Sequence, residues 1–232
     1  MGNRGDILTE RPFEAEHLGG PVFDCSDAGR AEEAVRRGRD AGAVLISCRT
    51  EGDGEALSAA GFLKVETLVT LECSSFKAVG AQTGGVPVRA GGAGDIPACR
   101  GIAAEALRWD RFHADPRIDN GVADGLKADW IENDLKGRAD RTFVAGTGGA
   151  VAGFCAMLLR PDLAVIDLIA VAPGEQGKGI GRALVAAAID HYRGSVAAIR
   201  VGTQAANPQS LTFYHSLGFK EVGRADTWHW MP

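Results

Sequence analysis

Apolar and polar positions change rhythm along the chain. Residues 21–25 and the compact run AVLISC at 43–48 are short and apolar, and 62–73 alternates over a longer stretch. All three predict strands. Between them, 28–41 has helical spacing, with Asp27 as N-cap and Glu32 and Glu33 in the first turn. Residues 54–60 predict a short helix stopped by Gly61. The order is β-α-β-α-β. A glycine-rich stretch poor in bulky side chains, 79–86, then predicts a linker.

The second half opens with VPVRAG, a strand candidate, followed by a helix to about Trp109 with Asp95 as cap and Pro97 in its first turn. Residues 108–120 are polar and predict irregular structure. Residues 121–136 predict an amphipathic helix with Val122, Leu126, Trp130 and Ile131 on one face. Strands at 141–146 and 151–158 form a hairpin around Gly148-Gly149, and another strand spans 164–171. Helix 180–192, strand 196–202, helix 208–217 and one or two strands in 218–231 complete the chain. This is an α/β pattern: a mixed, mostly antiparallel sheet with helices on both faces. It divides into a small α/β unit at 1–80 and a larger one at 86–232.

Composition narrows the function. The 232 residues carry a net charge of −5, which gives no general reason to bind nucleic acid or an anionic membrane. The N-terminus MGNRGDILTERPFE has no apolar leader, and no stretch approaches the length of a membrane span. The five cysteines form no CxxC pair and no metal-ligand spacing. Most sit in apolar runs, so free core thiols and a cytoplasmic location are expected, with no metal.

The chemistry concentrates in DLIAVAPGEQGKGIGRAL, which begins at Asp167. An apolar strand ends at Val171, Pro173 stops it, and a glycine-rich loop opens a helix near Ile180. The loop reads Gln176-Gly177-Lys178-Gly179-Ile180-Gly181. A helix N-terminus presents unpaired amides and partial positive charge. Glycines let a diphosphate approach the backbone closely. Lys178 and Arg182 add cations where an empty helix would disfavour them, so an anion is the natural partner. The loop is not a P-loop, because Gly179 and not Ser or Thr follows Lys178. It is not a dinucleotide loop either, because Arg182 stands where the third glycine belongs.

The run VAPGEQGKGIGRALVAAAI resembles the acetyl-CoA motif of the GNAT superfamily of N-acetyltransferases. Downstream, Asn207 before a helix, Tyr214 on it, and Leu217-Gly218-Phe219 after it fit the same pattern. The stretches GEALSAAGFLKVETLVTLE, IPACRGIAAEALRWDRFHADPRID and ADWIEN further resemble the dTDP-fucosamine acetyltransferases of surface-polysaccharide synthesis. The resemblance implies a GNAT fold over about 86–232. It makes the N-terminal unit a truncated partner without a phosphate loop.

It also implies roles. Ile169, Ala170 and Val171 would pair with the pantetheine arm, and Gln176, Gly177, Lys178, Gly179, Ile180, Gly181 and Arg182 would wrap the pyrophosphate. Asn207 would bond the cofactor's amide arm. Tyr214 would protonate the leaving thiolate, and with a pKa of about 10 a tyrosine holds its proton at neutral pH. The N–H of Val171 or of Ile169 would stabilise the oxyanion. Asp167 is the first candidate for general base, directly or through water, against a purely structural carboxylate. Glu132, Asp134, His113 and Asp115 are others. Cys155, mid-strand, reads as core, and His215 as surface.

On the acceptor side, Arg111 and Arg117 are candidates for a nucleotide-sugar diphosphate, given arginine's bidentate geometry. Phe112 or Trp130 are candidates for stacking on a base or sugar. The expected reaction is direct attack of a primary amine on acetyl-CoA. A nucleotide-linked 4-amino sugar is the first acceptor, and another small amine, an amino acid or a protein N-terminus the alternative. A non-catalytic acyl-CoA-binding module is a third reading. A homodimer is among the expected partners.

Overall fold

The computed structural model describes residues 6–76, 85–146 and 148–232, so most of the expected linker lies outside the described residues. The strands are β1 (Leu8–Glu10), β2 (Val22–Cys25), β3 (Leu45–Thr50), β4 (Leu63–Cys73), β5 (Val88–Ala90), β6 (Arg141–Ala145), β7 (Gly153–Arg160), β8 (Leu163–Val171), β9 (Ala198–Gln204) and β10 (Lys220–Trp230). The helices are α1 (Pro12–Leu18), α2 (Ala31–Asp40), α3 (Glu55–Ala59), α4 (Ile96–Ala106), α5 (Arg111–Ala114), α6 (Asn120–Asn133), α7 (Ile180–Tyr192) and α8 (Pro208–Ser216).

Local signals explain most of these elements. The Asp27 carboxylate accepts from the Gly29 amide at 2.9 Å, as its capping position predicts. Asn207 caps α8 through Ser210 at 3.0 Å. Asp95 departs from expectation. Its carboxylate takes Arg89 and the Gly92 amide, and leaves the first turn of α4 uncapped by a side chain. Two elements were not anticipated. Strand β1 has only three residues, too few for alternation to show, and α1 starts at Pro12 without a side-chain cap. The stretch expected to be irregular contains α5, whose N-cap Asp110 accepts from Phe112.

The strands form one mixed sheet in the order β1-β2-β3-β10-β4-β9-β8-β7-β6-β5. Among the described strands only β2–β3 and β8–β9 are parallel pairs, in keeping with the expected mostly antiparallel sheet. One sheet thus runs through both expected units. β10 from the second lies between β3 and β4 of the first, and β4 also pairs with β9. Helix α7 buries Leu184, Val185 and Ile189 on one face, in a core with Phe143, Ile166 and Tyr214. The other face packs Ile102, Ile131, Phe154 and Leu168. All five cysteines are free and buried. No described helix is long and apolar enough to cross a membrane.

Candidate functional site

The site begins with two irregularities in β8. Its register against β7 shifts by one residue, with Ala156 opposite Leu168 and Met157 opposite Ile166. Asp167 is the extra residue of this bulge. The bulge exchanges the faces of the strand. Ala164 and Ile166 face the α7 core, but beyond it Ile169 and Val171 do, while Leu168 and Ala170 turn to the opposite core. The second irregularity is that the parallel pairing of β8 with β9 stops at Ile166–Val201. Both strands run on past that point, to Val171 and Gln204. They therefore part and leave main-chain groups without a strand partner on their facing edges.

A cleft of about 590 Å3 occupies this opening. Asp167, Ile169, Ala170 and Val171 line one side, and Thr203, Gln204 and Asn207 the other. At one end stands the glycine-rich loop. Gly177 and Gly179 have φ of +77° and +83°, which L side chains rarely adopt, and Gly179 is the N-cap of α7. The side chain of Gln176 donates back to the Val171 carbonyl at 3.2 Å and ties the loop to the strand end. The amides of Ile180, Gly181 and Arg182, in the first turn, face no intrahelical acceptor. Ile180 itself is buried in the core and anchors the helix. Lys178 pairs with Glu175 at 3.0 Å, and Arg182 donates to Ser216 at 3.1 Å, so both cations stay near the loop.

Tyr214 lines the cleft from α8 yet is only 2% exposed. It packs edge-on to Phe213 and against Phe219. Its hydroxyl has no hydrogen-bond partner among the described residues. Burial pushes the phenol well above its ordinary pKa, with the neighbouring Cys155 adding to the effect. Asn207 uses Oδ1 in its cap, which leaves its amide nitrogen without a described partner at the cleft wall. His215 is exposed and Cys155 is fully buried, as their positions predict.

Asp167 is held by α6 and the turn that follows it. It accepts from Trp130 Nε1 at 2.8 Å and pairs with Arg138. Arg138 also lies 2.8 Å from Asp134. Asp134 is fully buried, and desolvation together with the negative charge of Asp167 pushes its carboxyl up to about 7. Glu132 is engaged by Arg100 and Lys136 on the surface of α6.

Several acceptor-side expectations need correction. Phe112 is 1% exposed inside a core cluster with Leu45 and Leu126, so no face is free to stack on a ligand. Arg117 grips both oxygens of Asp115 at 2.8 Å and donates to the His229 carbonyl at 3.1 Å. That carboxylate sits well below its usual range because its bonds to Arg117 and His229 outweigh the effect of burial. Arg117 is thus a structural clasp. Arg111 is directed at Glu14. Trp130 is the exception in part: it sits beside the cleft, with its indole nitrogen given to Asp167. None of these four lines the cleft. Trp109, Asp110 and Lys127 do. Spacing alone missed Lys127, because a lysine on an amphipathic helix is ordinarily solvated.

Residues 103–219 match the acetyltransferase (GNAT) family, half of the chain. The chain belongs to that family, whose acetyltransferases use acetyl-CoA. Two curated relatives are similar to it. The spore coat polysaccharide biosynthesis protein SpsD of Bacillus subtilis (strain 168) is 32% identical over 127 residues, 54% of this chain and 44% of that protein. The N-alpha-acetyltransferase RimI of Mycobacterium tuberculosis is 35% identical over 83 residues, 34% of this chain and 51% of that protein. The chain therefore matches about half the length of these relatives, or less. In fold, a tandem GNAT protein from the clavulanic acid biosynthesis pathway superposes on 92% of this chain and 76% of its own, with a TM-score of 0.62 and 16% identity.

Proposed function

We propose that this chain is an acetyl-CoA-dependent N-acetyltransferase, and that its acceptor is the 4-amino group of a nucleotide-linked amino sugar. The observation that carries the reading is the joined opening of β8 and β9 beside the αL glycine loop of α7. It offers unpaired main-chain groups for an amide-bearing arm and helix-terminal amides for a diphosphate in one continuous cleft. In this reading Ile169, Ala170 and Val171 bind the pantetheine arm, and the stretch from Gln176 to Arg182 wraps the pyrophosphate. Asn207 donates to the cofactor's amide arm.

The acceptor nitrogen attacks the thioester carbonyl, and an amide of β8 holds the oxyanion. The C–S bond then breaks, and Tyr214 gives its proton to the departing thiolate. A buried phenol with no protein partner suits that role, because it is protonated and its donor is free. Asp167, bonded to Trp130 and Arg138, takes the amine's proton through water, with Asp134 as a proton-holding neighbour whose carboxyl titrates near neutrality. The sugar acceptor draws support from the similarity to a polysaccharide biosynthesis protein. The second reading, a peptide N-terminus, draws on the similarity to an N-alpha-acetyltransferase.

An acetyl-CoA consumption screen separates the two. Amino-sugar nucleotides, amino acids, polyamines and peptides are offered in parallel. Turnover confined to the amino-sugar nucleotides is expected. Turnover with peptides alone would replace the first reading with the second, and no turnover or cofactor binding at all would remove both.

A further inference from the structure

The acceptor half of the cleft holds one charge that acetyl transfer as described leaves idle. Lys127, on α6, is 7% exposed and lines the cleft. Its ammonium lies 4.9 Å from the Trp130 ring centre and 5.8 Å from that of Phe112. Among the described residues it makes no hydrogen bond, and the carboxylate in ion-pair range, Asp110, is 3.7 Å away.

The surrounding acids are already committed. Asp110 binds His113 Nδ1 at 2.6 Å and accepts from the Phe112 amide at 2.9 Å. Glu66 accepts from Thr227 at 3.1 Å and faces Arg49 at 3.6 Å. Asp167 has Trp130 and Arg138. Burial works against the charge of Lys127 and lowers its pKa; the charges of Asp110, Glu66 and Asp167 oppose this, and Arg111 adds to it. A buried ammonium with three donors and no acceptor is costly unless a ligand supplies one. Trp109 lines the same cleft and is 53% exposed.

We infer that Lys127 anchors a negatively charged group of the acceptor, a phosphate or a carboxylate, while Trp109 covers the adjoining part of the molecule. The inference rests on the acetyltransferase reading, because it names the acceptor's chemistry at that same site. It makes the enzyme selective for amines that carry an anion over neutral amines.

The test uses the full chain saturated with coenzyme A, so that the cofactor's own phosphates cannot mask the result. Uridine and thymidine diphosphate form the phosphate arm of a calorimetric titration, N-acetyl amino acids the carboxylate arm, and N-acetylglucosamine the neutral control. Binding in one anionic arm is expected, and the arm that binds identifies the group. Lys127→Met should weaken it about tenfold or more, and Lys127→Arg about threefold or less, on the scale of one charged hydrogen bond. Both variants should bind coenzyme A as the wild type does, which also reports that they fold. A coenzyme A-loaded wild type that ignores both anionic arms, or a Lys127→Met variant that binds them equally well, overturns this inference alone. A wild type that takes up no coenzyme A overturns the acetyltransferase reading and this inference with it.

Discussion

Tyr214, Lys127 and Asp134 are each buried in a way that a folded core alone would not favour. Tyr214→Phe removes one hydroxyl that has no protein partner, so little stability is at stake. Steady-state kinetics should show kcat reduced by about 10²-fold or more, with acetyl-CoA affinity nearly unchanged. Lys127→Met replaces a buried ammonium that has Asp110 at 3.7 Å but makes no hydrogen bond among the described residues with an apolar chain of similar length. Thermal melting should show Tm raised by roughly 2–4 °C, about 1 kcal/mol for a chain of this size, while acceptor binding falls. Asp134 gives a pH signature. Its folded carboxyl titrates near 7, above the ordinary carboxylate range, so the folded state binds that proton more tightly. The stability this provides is complete below about pH 4 and is lost as pH rises through about 7. Asp134→Asn should therefore be more stable than wild type at pH 8, on the order of 2 kcal/mol, with the gap closing toward pH 4. Denaturant unfolding across that range measures it. A constant gap would refute the assignment.

Among the elements, the loop into α7 and the bulge in β8 set the geometry. Gly179 has φ of +83° and open space around its Cα, so an added Cβ would meet no protein atom. Gly179→Ala strains the backbone by about 1 kcal/mol and places a methyl group where a diphosphate would lie. Calorimetry should find coenzyme A binding weakened about tenfold, with a far smaller change in Tm. The bulge matters as much. Were Asp167 held as an ordinary strand residue instead of a bulge, every side chain beyond it would change faces, and Leu168 and Ala170 would exchange cores with Ile169 and Val171.

At the scale of the whole molecule, the sheet interleaves the two halves of the chain. β4, from residues 63–73, lies between β10 and β9, and β9 forms one wall of the cleft. A chain beginning at residue 86 would lack β3 and β4, leave β9 and β10 with unpaired edges, and remove Val69 and Leu71 from the core they share with Ile199, Val201 and Phe219. We predict that residues 86–232 alone do not fold to a cooperative unit, as circular dichroism melts would show. Co-expression with residues 1–80 should restore the transition. A cooperative melt from 86–232 alone would show that the larger unit is autonomous.

Local physics fixed what the sequence could show without help. The helix 180–192, the glycine loop before it and the strand ending at Val171 were all legible, because capping, glycine freedom and apolar runs act between neighbours in the chain. Tyr214 stood out through the pattern of words around it. Tertiary structure decided the rest. Phe112 became core, Arg117 a clasp on Asp115, and Lys127 a buried cation at the cleft, because burial depends on which elements arrive from elsewhere. The insertion of β10 between β3 and β4 was invisible for the same reason: strand pairing joins residues distant along the chain, and no local rhythm records its partner.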